Sequence, residues 1–108
     1  MKSDLRDFAI REIGCIVCRH RGLGFAPAEK HHLLTTGLHG NGKRRGEHAT
    51  VGLCAYHHRG IGTPTSALGP SYAREPRAFR ALYPDAWLLT EQDRCLSDWR
   101  ANTVGAAA

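Results

Sequence analysis

Four residues in two tight pairs have the types and spacing to hold a metal ion: Cys15 and Cys18 in "CIVC", and Cys54 and His57 in "CAYH". Tetrahedral zinc takes four nitrogen or sulfur ligands, and a two-residue spacer points both side chains of a pair the same way. At the start of a helix, positions i and i+3 share a face, so Cys54 and His57 can reach one ion. The alternative is two small buried thiols and a surface histidine; two such pairs in a small chain favour zinc. Cys95 stands far from both pairs, on an apolar stripe, and reads as a buried free thiol.

Seven histidines in 108 residues exceed what packing needs. His31 and His32 are adjacent in "EKHHLL", which reads as a strand. Successive strand side chains face opposite sides, so the pair either converges at a strand end or bulge or does two jobs on neighbouring sides. His57 and His58 follow one another on a helix, where successive side chains differ by about 100°. One faces the zinc and the other an adjacent pocket. Taken singly, His31 and His32 would read as a polar patch on an edge strand and His58 as an exposed helix residue. The loop "GNGKRRGEH" carries Lys43, Arg44 and Arg45, long cations able to reach a nucleic-acid backbone. A solvated charged loop is the alternative there. Arg74, Arg77 and Arg80 read as a solvated helix face, His20 as a surface residue, His39 as a DNA contact or a residue with no task, and Trp87, Trp99, Phe79 and Tyr83 as packing.

These residues need elements to position them. Leu5, Phe8, Ala9 and Ile13 predict an N-terminal helix face ending at Gly14. "EKHHLL" and "ATVGLC" predict two strands flanking a long polar loop, an antiparallel hairpin. "CAYHHR" then opens a short helix stopped near Gly60. Pro76 starts a helix carrying Ala78, Phe79, Leu82 and Tyr83, closed by Pro84. Asp85 starts a last helix with Leu88, Leu89, Cys95, Leu96 and Trp99 on its apolar face. The length suits one domain over 1–100, with 101–108 expected as a disordered tail. Net charge +5 and a pI near 9.4 favour a polyanionic partner, nucleic acid first. The start "MKSDLRDF" has no apolar core and no run approaches a bilayer span, which predicts a cytoplasmic protein with no membrane partner, where clustered Cys and His mean metal more often than disulfide.

The stretches "CIVC", "EKHHLL" and "EHATVGLCAYHHRG", with the later "AFRALYPDAWLL", resemble the HNH (ββα-metal) endonucleases, and most closely the phage Ref-like, recombination-enhancing, RecA-dependent nucleases. The resemblance covers most of the chain, Ile13 to Leu96. It implies an α+β fold: a small zinc-stapled ββα-metal (HNH, His-Me finger) core with an N-terminal helix and two C-terminal helices. It implies a metal-dependent DNA endonuclease in which His31 and His58 bind a catalytic divalent ion, Mg²⁺ or Mn²⁺, with Zn²⁺ as a further choice. His32 would be the general base and His48 would orient it or the phosphate. Expected partners are DNA and a RecA-type filament, and the expected state is a monomer or weak dimer. A third histidine ligand found in some HNH enzymes falls here on Gly62, so another group or water completes the shell. The competing reading is a zinc-stabilised DNA-binding accessory protein that does not cut; it has no use for a base at His32.

Overall fold

The computed structural model describes residues 3–33 and 49–103. Helix α1, Ser3–Ile13, leads into α2, Ile16–His20; strands β1, Glu29–His32, and β2, Thr50–Leu53, follow, then helices α3, Ala55–Arg59, α4, Pro76–Leu82, and α5, Asp85–Thr103. The α+β class is the one expected from the sequence, and the element order agrees except for α2, which forms within the first cysteine knuckle where no helix was expected. Helix α5 runs to Thr103, past the boundary expected for the tail.

The strands form a two-stranded antiparallel sheet, with Glu29 opposite Leu53, His31 opposite Val51 and His32 opposite Thr50. Every residue of β2 is buried, because α1 and α5 pack on it. Gly52 permits the approach of α1. A Cβ there would sit 2.8 Å from Cγ2 of Ile10 and 3.1 Å from Cβ of Ala28. The Gly52 amide donates to Oε1 of the fully buried Gln92 at 2.7 Å, tying β2 to α5.

Helix α1 turns a different face inward from the one its apolar residues predict. Arg6, Ala9, Ile10 and Ile13 are buried, whereas Leu5 and Phe8 are exposed, Phe8 meeting Trp99 edge to face. The cause is Arg6: its Nε and Nη2 donate to the Thr50 hydroxyl and carbonyl at 3.1 and 2.6 Å. A buried carbonyl needs a donor, and this one sets the helix rotation. On α4, Phe79 and the following Tyr83 are buried, while Ala78 and Leu82 face outward. On α5 the inner stripe is Leu88, Gln92, Cys95 and Leu96, with Leu89 and Trp99 packed at its border. Cys95 is a buried free thiol whose proton is held more tightly than usual, chiefly by burial.

Candidate functional site

The two metal-ligand pairs fold as copies of one device. Cys15 caps α2 and its sulfur accepts the Cys18 amide at 3.4 Å; Cys54 caps α3 and accepts the His57 amide at 3.4 Å. In both, the pair occupies the cap and third positions of a five-residue helix, which explains the two-residue spacer. Gly60, in the left-handed region with φ 74°, ends α3.

The fold brings the four donors together. Their ligand atoms lie within 4.8 Å of one another, and all four residues are buried. Nδ1 of His57 is 3.6, 3.5 and 3.3 Å from the sulfurs of Cys15, Cys18 and Cys54, and the Cys18 and Cys54 sulfurs are 3.8 Å apart. A tetrahedron with Zn–S about 2.3 Å and Zn–N about 2.0 Å has S···S edges of about 3.8 Å and S···N edges of about 3.5 Å. The donor spacing therefore fits zinc. The tautomer fits as well: Nε2–H of His57 donates to the Leu68 carbonyl at 2.8 Å, leaving the Nδ1 lone pair toward the sulfurs. Arg21 in turn donates to the carbonyls of Ala67 and Ser66 at 2.7 and 3.1 Å, fixing the loop that presents Leu68.

Charge within the cluster points the same way. Burial pulls the His57 pKa down, but hydrogen bonds with Cys15 and Cys54 outweigh it and raise it to about 10. Hydrogen bonds with Cys15 and Cys18 drive the Cys54 thiol far below its usual range, and those with Cys15 and Cys54 hold Cys18 far above it. The opposite shifts of Cys54 and Cys18 show how strongly these enclosed donors compete for protons. A divalent cation among them would replace that competition by binding the deprotonated donors.

One residue further along α3, His58 turns away from the cluster. Its ring meets that of His31 on β1, with centroids 5.0 Å apart and planes at 70°. His31 is 6% exposed and also packs against Tyr72, 4.8 Å between centroids. Burial first, and the neighbouring His58 second, pull the His31 pKa from 6.5 to about 4. Its imidazole is neutral at neutral pH, the form that binds a metal. His32, the last residue of β1, is exposed, so the strand sends the two neighbours to opposite sides as its period of two requires.

Several partners of this pair were not singled out from the sequence. Nδ1–H of His58 donates to Oε1 of Glu29 at 2.8 Å, and Arg59 grips both oxygens of the same carboxylate through Nε, at 2.8 Å, and Nη2. The Arg59 guanidinium is the main cause of a Glu29 carboxyl held below the usual range, with His58 adding to it. Strand periodicity carried the signal, since Glu29 and His31 are two apart and share a face. Nothing in the sequence marked Tyr72, whose hydroxyl accepts from Arg80 at 2.9 Å.

Among the described residues, Cys15, Cys18, Cys54 and His57 are the one group of three or more Cys, His, Asp or Glu donors close enough for a metal; His31 and His58 stand together as a pair. His48, Lys43, Arg44 and Arg45 lie outside the described residues, as does His39. No helix among the described residues is long and apolar enough to cross a membrane.

Neither a curated protein nor a solved structure matches the chain significantly. A family model does: the one described as "Recombination enhancement, RecA-dependent nuclease" matches residues 3–92, spanning both cysteine knuckles, the hairpin, α3 and the start of α5. The match takes in the Cys₃His cluster and the His31–His58 pair, and it covers most of the 108 residues, so the chain belongs to the recombination enhancement, RecA-dependent nuclease family.

Proposed function

We propose that the chain is a metal-dependent DNA endonuclease of the HNH type that hydrolyses phosphodiester bonds. The observation that carries this reading is the His31–His58 ring pair, built across β1 and α3 beside the zinc-type cluster. His31 and His58 hold a divalent ion, Mg²⁺ or Mn²⁺, which supplies positive charge to the scissile phosphate and the departing 3′-oxygen. His32, exposed at the end of β1, takes the proton from the attacking water, a task that suits an imidazole. His48 orients His32 or the phosphate, and Lys43, Arg44 and Arg45 contact the DNA backbone. Cys15, Cys18, Cys54 and His57 hold structural zinc, so the catalytic and structural sites are distinct. The products are a 5′-phosphate and a 3′-hydroxyl. The family description makes a RecA-type filament on DNA the first substrate form to try.

A nicking assay tests the reading on single-stranded, duplex and recombinase-coated DNA with Mg²⁺ or Mn²⁺. The wild type nicks at least one form, and His32→Ala loses about 10²- to 10⁴-fold in rate with zinc content and melting temperature unchanged. DNA binding without nicking in any form and with either ion refutes the endonuclease reading and leaves a non-catalytic DNA-binding module.

A further inference from the structure

The Glu29 carboxylate joins two elements that share no other charged link among the described ion pairs. It sits at the first position of β1 and receives Nδ1–H of His58 at 2.8 Å, with Nε and Nη2 of Arg59 clasping its two oxygens from the next position of α3. A carboxylate accepts and never donates when ionised, so its partner nitrogen on His58 must carry the hydrogen. The ring of His58 then keeps its lone pair on Nε2, on the edge away from Glu29, while its centroid lies 5.0 Å from that of the buried His31. Without that acceptor, an imidazole side chain favours the opposite tautomer, with its hydrogen on Nε2 and no lone pair there. Arg59 matters because its planar fork fixes the carboxylate in two directions at once, which a single hydrogen bond does not.

We propose that Glu29, held by Arg59, is a positioning residue that locks His58 as the Nδ1–H tautomer and so presents its Nε2 as a ligand atom beside His31. The proposal rests on the reading of His31 and His58 as the ion-binding pair. It gives Glu29 a role distinct from that of an ordinary surface ion pair, whose loss would leave both ring nitrogens of His58 as they were. It also explains why the two residues after the zinc ligand His57 are His58 and Arg59: one supplies the donor atom and the other fixes the group that orients it.

The test uses the zinc-loaded full chain, labelled with ¹⁵N at histidine, at pH 8. Long-range ¹H–¹⁵N spectra without added divalent ion assign the hydrogen on His58, and Mn²⁺ titrations followed by electron paramagnetic resonance measure the second ion. The wild type shows Nδ1–H at His58. Glu29→Ala moves the hydrogen to Nε2 and weakens Mn²⁺ binding by about 10- to 100-fold, the usual effect of losing an outer partner of a histidine ligand. Glu29→Gln, whose amide oxygen still accepts, restores the Nδ1–H form and part of the affinity. The His57 signals, unchanged in both variants, show that the zinc cluster and α3 remain folded. A wild type with its hydrogen on Nε2 overturns the proposal without any variant, and so does a Glu29→Ala protein that keeps Nδ1–H or binds Mn²⁺ as tightly as wild type. A wild type that binds no Mn²⁺ beyond its zinc refutes the ion-pair reading instead, and the tautomer spectra still decide the role of Glu29.

Discussion

If the Cys₃His cluster holds zinc, removing it is the perturbation with the largest expected consequence. The four donor residues are 0–8% exposed, so an ion held there would be shielded from water. Helices α2 and α3 have five residues each, whereas isolated helices shorter than about 12 residues are marginal in water. Their caps and their third residues are the four donors of the cluster, so an ion bound there would hold both helices by their first turns. Structural zinc sites of this kind contribute an apparent 10–16 kcal/mol or so, against a total stability of about 5–15 kcal/mol for a small domain. Part of that is offset by metal bound to the unfolded chain. If only about 5 kcal/mol is lost, the melting temperature falls by roughly 20–40 °C for a domain of this size. The assay is thermal unfolding by circular dichroism of zinc-loaded and chelator-stripped protein, with metal content measured on each and Cys18→Ser as an ion-free control. Proton NMR in parallel follows the contact between the His31 and His58 rings, which should vanish with the zinc although neither ring is a ligand of it. A stripped monomer that melts within a few degrees of the loaded protein and keeps the ring contact would show that apolar packing around Tyr56 and Leu53 holds α3 unaided. That result would refute the coupling of staple to site.

Two further outcomes follow from the packing and the buried charge. Gly52→Ala places a methyl group 2.8 Å from Cγ2 of Ile10 and 3.3 Å from the Gly14 carbonyl, so α1 must move off the sheet. Overpacking of this kind costs about 1–3 kcal/mol, read as a lower denaturant midpoint with an unchanged slope; an unchanged midpoint sinks the close-packing account. His31 has a folded-state pKa of about 4 against 6.5 for the free side chain, chiefly because it is buried. Between these values the unfolded chain binds the extra proton, so stability is fully present above pH 6.5 and falls as the pH drops toward 4, by up to about 3 kcal/mol. Denaturant unfolding of zinc-loaded protein without other divalent ions should show this slope, and His31→Asn should flatten it. A slope identical in the two proteins removes His31 as its source.

The parts of the site that follow from local geometry were legible in the sequence. The spacing of Cys15 with Cys18 and of Cys54 with His57 is that of cap and third helical position, so the cluster could be read before the fold was known. The separation of His57 from His58 likewise needed only the 100° step of a helix, and that of His31 from His32 only the alternation of a strand. What remained hidden depends on contacts distant in sequence. Arg6 looks like a surface cation on an amphipathic helix; only the Thr50 carbonyl, 44 residues away, draws it inside and turns Leu5 and Phe8 out. Gln92 looks polar and solvent-facing, yet the Gly52 amide needs its oxygen. Glu29 stood in plain view two residues before His31, but its role required knowing that α3 packs on that face of β1.

The two adjacent histidines of α3 do separate work because the element carrying them is a helix. A strand would set them on opposite sides of a sheet, and an irregular loop would fix neither. In the helix, Cys54 and His57 face one centre, His58 faces β1, and Arg59 reaches the carboxylate that orients His58. Every residue from Cys54 to Gly60 except Ala55 thus has a stated task, with Tyr56 buried and Gly60 ending the helix. The strand supplies the complement: its period of two puts Glu29 and His31 on the face that α3 covers and leaves His32 on the other. The ring pair and the three hydrogen bonds to Glu29 then join β1 to α3, and each involves His58 or its neighbour. Their geometry depends on where the helix begins, and the helix begins at a zinc-type ligand. The placement of His58 is therefore coupled to the cluster by a single residue step, so a change at the cluster reaches the histidine pair through the backbone of α3.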